Sequence, residues 1–114
     1  MRGGIGRQLR SRATTLRKVE VDDGEGGWEE DWATLGLNRQ CRRRAATASD
    51  ITIAEQVQGN VEHLVYWLPG EDIAYGDQVI VDGYELKVLG VLEPSEPRYL
   101  LTPCQQIQIG ATTP

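Results

Sequence analysis

The sequence predicts an all-β protein, a small antiparallel β-barrel of five to six strands with a long inter-strand loop and flexible termini. Three observations predict it. Wherever a hydrophobic pattern exists it alternates with a period of two, and no segment carries a 3.6-residue stripe. Asp82-Gly83, flanked by alternating apolar residues, is the preferred two-residue loop of a type I′ hairpin. The 114 residues, 39% of them hydrophobic, suffice for one modest core. The expected organisation is a flexible basic arm at 1–15, a barrel domain at 16–109 with a loop at about 40–58, and a loose tail at 110–114.

The elements follow in order. Leu16 to Val21 reads as a short strand with Val19 and Val21 on one side. Asp23-Gly24-Glu25-Gly26-Gly27 is a turn composition, rich in residues that accept positive φ. Ala33, Leu35, Leu37 and Cys41 then alternate with Thr34, Asn38, Gln40 and Arg42, a strand with one wet face. From Arg42 to Gln58 a long loop is expected, with a short ordered piece behind a cap at Ser49 or Asp50, because a helix of that length is marginal. Val61 to Leu68 is a strand whose odd face carries Val61, His63, Val65 and Trp67 and whose even face carries Glu62, Leu64, Tyr66 and Leu68. Both faces are apolar at its end, so the second needs cover, from a loop or terminus of the same chain or from another subunit.

Pro69-Gly70 ends that strand, and Glu71 to Asp77 is a loop. In the hairpin Gln78 to Leu92, the Asp82-Gly83 loop sets Val81 against Tyr84, Val79 against Leu86, Ile80 against Glu85 and Gln78 against Lys87. Turn chemistry and alternation select the same register independently. Glu93 to Pro97 is a rigid loop, and Arg98 to Ile109 returns to strand composition, with Pro103 confining part of it to an edge or bulge.

Charge is distributed in blocks. Twelve Lys and Arg against 17 Asp and Glu give a net charge of −5. The first block is basic (Arg2, Arg7, Arg10, Arg12, Arg17, Lys18). An acidic block follows (Glu20, Asp22, Asp23, Glu25, Glu29, Glu30, Asp31), then a second basic cluster at Arg39 and Arg42-Arg43-Arg44. From Ala45 onward the only bases are Lys87 and Arg98. A uniform basic face for nucleic acid is disfavoured, while local contact with an anionic partner, or head-to-tail contact between copies, fits the blocks.

Chemistry is sparse. No stretch approaches the ~20 apolar residues of a membrane-spanning helix, and Met1 to Lys18 lacks the apolar region of a secretory signal. Cys41 and Cys104 read as two reduced, packed thiols, and the lone His63, mid-strand without a nucleophile motif, as a packed, hydrogen-bonded side chain. Asp22-Asp23 and Glu29-Glu30-Asp31 do not fit a calcium loop, since Trp28 stands where glycine is required. The glycine-rich stretches lack the Lys-Ser/Thr of a phosphate-binding loop. No enzyme, cofactor or metal is expected.

One resemblance ties these features together. Asp23-Gly24 and Gly26-Gly27-Trp28, then Trp32, precede a strand and a long loop. Glu55 to Gly70, running through Gly59, His63 and Trp67, comes next, then Asp72-Ile73, Gly76-Asp77 and Val79 to Tyr84. In that order and spacing the chain resembles the head-to-tail stopper, or head-closure, family of tailed bacteriophages over about residues 16–92. The resemblance implies a small β-barrel that assembles as a ring in the virion neck. Such a ring sits beneath portal and adaptor proteins, closes the DNA channel after packaging, and presents a platform to a tail terminator or tail-tube protein. It implies assembly in the host bacterial cytoplasm and contact with packaged double-stranded DNA, with no membrane partner. In related stoppers the loop between early strands forms the plug, so Arg42, Arg43, Arg44, Ile51 and Ile53 become the candidate channel-facing residues. Arg7, Arg10, Arg12, Tyr66, Trp67 and Leu68 are candidates for contact with neighbouring subunits. The alternatives are another ring-forming neck or tail component, such as a terminator or adaptor, and a small SH3-like or OB-like nucleic-acid-binding module.

Overall fold

The computed structural model describes residues 9–95 and 98–107. Arg7 and the start of the arm, the end of the 93–97 loop and the tail at 110–114 lie outside the described residues. Six strands are present: β1 (Ser11–Asp22), β2 (Trp28–Ala45), β3 (His63–Trp67), β4 (Gln78–Val81), β5 (Tyr84–Val88) and β6 (Leu100–Gln106). Every pairing is antiparallel, and the single sheet closes on itself in the order β1-β2-β3-β6-β5-β4. Closure leaves no barrel edge open. The only α-helix among the described residues is α1 (Ile51–Ala54), one turn that follows a 3₁₀ turn at Ala48–Asp50.

The β4–β5 hairpin has the register its turn dictates: Val81 pairs Tyr84, Val79 pairs Leu86, Ile80 pairs Glu85 and Gln78 pairs Lys87. Asp82 and Gly83 take φ of 51° and 83°, the double positive φ of a type I′ turn. Pro103 sits in the middle of β6 without breaking the barrel. The β5–β6 ladder stops at Val88 and Cys104, so beyond it the Leu89 N–H donates instead to the Pro103 carbonyl at 2.8 Å.

Two boundaries differ from the sequence reading. Strand β1 begins at Ser11, inside the segment expected to be a flexible arm, because Ala13 and Thr15 point into the barrel and are fully buried. Strand β2 continues to Ala45, so Arg42, Arg43 and Arg44 lie on a strand and not in the loop. Five consecutive residues, Cys41 to Ala45, pair with Trp67 to His63 of β3. The loop proper spans 46–62 and carries Ile51 and Ile53 on α1.

The core is built from Ala13, Cys41, Val65, Trp67, Val79, Val81, Leu86, Val88, Leu100 and Cys104. Trp67, expected at a subunit surface, is 0% exposed. Its odd-face position turns it inward, where Nε1 donates to Thr102 Oγ1 at 2.9 Å and that hydroxyl donates to the Val65 carbonyl at 3.2 Å. The even face of β3 is covered by the same chain at Leu64, which has no exposed surface, while Tyr66 and Leu68 stay half-buried. The segment after β5 runs beside β6 and against the 46–62 loop. Leu92 and Leu101 bond to each other reciprocally, and a Cβ on Gly90 would meet Val57 Cγ1 at 2.7 Å. Cys41 and Cys104 are free, and burial pushes each thiol up to about 12.

The first hairpin is far longer than the sequence suggested. Residues 17–22 of β1 pair only with 28–33 of β2, and every residue from Trp28 to Thr34 is exposed. This two-stranded ribbon stands off the barrel and makes the molecule 54 Å long against 33 and 27 Å in the other directions.

Candidate functional site

The arginine cluster is the first candidate, and the strand pleat divides it. Cys41 faces the core, so Arg43 points inward at the barrel's end while Arg42 and Arg44 point out. Arg43 Nε donates to Asp82 Oδ2 at 3.1 Å, Nη1 bonds His63 Nδ1 at 3.0 Å, and the guanidinium lies 4.5 Å from the centre of the Tyr84 ring. An arginine only donates, so His63 Nδ1 is the acceptor and its Nε2 donates to Gln106 Oε1 at 3.2 Å. His63 is thus a packed, hydrogen-bonded residue that caps this end of the barrel with Tyr84, 4.7 Å from its ring.

Arg44 makes a clamp on the loop. Its Nη1 and Nη2 donate to Asp50 Oδ2 and Oδ1 at 2.9 and 2.8 Å, and Nη2 also reaches the Tyr66 hydroxyl at 3.1 Å. Asp50 further accepts from the Thr47 backbone N–H at 2.8 Å. The Arg44 guanidinium, aided by that N–H, holds the Asp50 carboxyl well below the usual carboxylate range, against the opposing effect of burial. Thus Tyr66 serves Arg44 within the chain, and α1 is tied to β2, with Ile51 exposed and Ile53 half-buried.

Other cations are likewise engaged. Arg39 is bidentate on Glu71, at 2.9 and 3.1 Å. Arg17 is bidentate on the buried Asp77, at 3.0 and 2.8 Å, and adds Asp72 at 3.1 Å, which pins the 71–77 loop to the base of the ribbon. Arg10, Arg12 and Arg42 differ: all three are exposed and none has an ion pair among the described residues. Arg12 pairs with Gln40 across β1 and β2, which places it on the same outward face as Arg42. The consecutive basic triplet thus contributes one free cation, joined by others from a distant stretch of chain.

The second candidate was not legible in the sequence. A cleft of about 790 Å³ opens at the base of the ribbon, lined among others by Lys18, Trp32, Tyr75, Gln78, Lys87 and Ile107. Lys18 Nζ lies 5.5 Å from the centre of the Trp32 ring and Lys87 Nζ 5.5 Å from that of Tyr75. Further out, Trp28 is 70% exposed among the acids of the hairpin. The one available signal was the spacing of Trp28 and Trp32, two strongly β-forming residues of the same parity just after the glycine turn.

No group of three or more His, Cys, Asp or Glu among the described residues is arranged to hold a metal ion. The geometry defines a small closed antiparallel barrel with clamped arginines, an exposed cationic face and a projecting acidic ribbon. The model of the phage head completion protein family matches residues 6–107, and the chain belongs to that family. It is a family of structural virion proteins, with a role in phage head closure and contacts to portal or tail components in general. No curated protein matches the sequence. The solution structure of protein SF1141 from Shigella flexneri 2a is similar, with a TM-score of 0.73 over 86% of this chain and 92% of that one at 17% identity, a likeness of fold.

Proposed function

We propose that this chain is the head-to-tail stopper of a tailed phage, one copy of a neck ring that closes the portal DNA channel after packaging and receives the tail. In this reading the ring contacts portal or adaptor proteins on one side and a tail terminator or tail tube on the other, and is assembled in the host cytoplasm. The observation that carries the reading is the family match over residues 6–107, nearly the whole chain. The geometry supplies its chemistry. Packaged DNA is densely anionic, and among the described residues Arg10, Arg12 and Arg42 are exposed arginines free to meet phosphate, whereas Arg43 and Arg44 are spent inside the fold. The loop 46–62, clamped at Asp50 and presenting Ile51, is the segment that narrows the channel.

The test is a phage carrying Arg10→Ala, Arg12→Ala and Arg42→Ala together. Heads should package DNA and then leak it, as measured by nuclease-accessible genome in purified particles. Full retention rejects the DNA-facing assignment. A phage lacking the protein altogether should yield filled heads that lose DNA and carry no tails. Tailed, infectious particles, or tails of abnormal length on intact heads, reject the stopper reading.

A further inference from the structure

The cleft at the base of the ribbon has a composition at odds with the rest of the molecule. On a chain of net charge −5, it is lined by Arg17, Lys18 and Lys87 against the single carboxylate of Asp77. Arg17 is saturated by Asp77 and Asp72, so the cations left to meet a partner are Lys18, loosely paired to Glu30 at 3.3 Å, and Lys87. Between them stand two aromatic faces, Trp32 and the 65% exposed Tyr75. A cleft with aromatic walls and a cationic rim suits an apolar anchor set among carboxylates.

The outer ribbon has that chemistry. Trp28 leaves its indole 70% exposed, with Asp22 directly across the strands and Glu29 next in sequence on the ribbon's other face. Glu20 faces Glu30 directly, a like-charge pair that destabilises the ribbon by itself and is relieved when cations approach. We propose that the Trp28 end of one copy's ribbon inserts into the cleft of the next copy, indole against Trp32 and Tyr75, with Asp22 and Glu29 against Lys18 and Lys87. The donor and acceptor surfaces differ, so the contact is head-to-tail and propagates from copy to copy until rotation closes it. This rests on the ring assembly proposed above and names the surfaces that join it.

The experiment uses phage particles and purified protein carrying Glu29→Cys with Gln78→Cys. The native thiols, buried and shifted to about 12, stay out of the oxidation. Mild oxidation should give a ladder of covalent multimers from the double variant and no ladder from either single variant. Trp28→Ala should raise the dissociation constant of the oligomer at least about 30-fold by sedimentation, the size of an interfacial hot spot. Lys87→Glu should weaken assembly, and adding Glu29→Lys should restore part of it. If a ring forms but the double variant gives no ladder and Trp28→Ala assembles normally, this pairing is wrong and the ring reading stands. If the protein is monomeric both free and in particles, both fall.

Discussion

Strand β2 passes through two environments, and the contrast between its halves explains most of the molecule. From Cys41 to Ala45 it is paired with β3 along the whole stretch, and at Cys41 with β1 as well. Three of its side chains there are committed inside the chain, Cys41 to the core, Arg43 to Asp82, His63 and Tyr84, and Arg44 to Asp50, while Arg42 points out into water. From Trp28 to Ala33 it has one neighbour, β1, and its side chains are in water. Closure of a small barrel needs only the first half. The second adds exposed aromatic and acidic surface without adding core, and a two-stranded ribbon is marginal by itself. The difference teaches that stability and recognition are divided along one strand, and that within the paired stretch the pleat divides the cations as well, Arg43 and Arg44 held inside the chain and Arg42 left free.

Breaking the closed half should have the largest effect. Trp67→Ala removes the largest buried side chain and takes from the Thr102 hydroxyl the indole N–H it accepts. A loss of about 4 kcal/mol is expected by urea denaturation, enough to unfold a domain of this size under mild conditions. If the loss were below about 1 kcal/mol, the barrel interior would not be the source of stability and the contrast would fail.

The Arg44 clamp lies between the two regimes, on a paired strand but outside the core. Arg44→Ala should cost about 1 kcal/mol, a value held low because the side chain is a third exposed. It should also speed amide exchange in residues 47–55 while leaving β3 and β6 protected. The sign of its pH dependence is fixed by Asp50, whose carboxyl is lowered in the folded state, first by Arg44 and then by the Thr47 N–H. A lowered carboxyl stabilises the fold above its unfolded pKa near 3.8, and the contribution disappears as pH falls through the lower folded value. The deficit of the variant should therefore be constant from pH 8 to about 4 and shrink below that. A deficit that grew on acidification would show that Asp50 is not the partner that matters.

How much of this was legible depended on whether local signals agreed. The β4–β5 hairpin could be read to the residue because turn chemistry and alternation chose one register, and β3 could be read because both of its faces are apolar. Of the outer ribbon, Leu16 to Val21 and the glycine turn could be read, but Trp28 to Trp32 could not, because a strand with no core-facing side has no hydrophobic alternation to show. Glu29-Glu30-Asp31 reads as a solvated turn whether or not it is paired. Arg42 to Arg44 read as loop for a related reason. An arginine facing inward is paired by residues far along the chain, Asp82 lying 39 positions from Arg43 and Asp77 60 from Arg17. Such pairs, and a cleft assembled from residues 17–18, 32, 74–78, 87 and 107, exist only once the sheet has closed.

The smallest expected effect is the sharpest test of that division. Trp28→Ala deletes an indole, yet the side chain is mostly in water and faces only Asp22 across the ribbon. Global stability should change by less than about 0.5 kcal/mol. Native-state hydrogen exchange should show the cause. Amides of 19–22 and 28–32 should exchange through local opening, much faster than those of β3 and β6, which require global unfolding. In the variant the ribbon amides should speed up further while the barrel amides stay as they were. If the ribbon were instead as protected as the barrel in the isolated monomer, or Trp28→Ala destabilised the whole chain, the two halves of β2 would form one cooperative unit. The outer half would then belong to the fold and could not be a free element held ready for a partner.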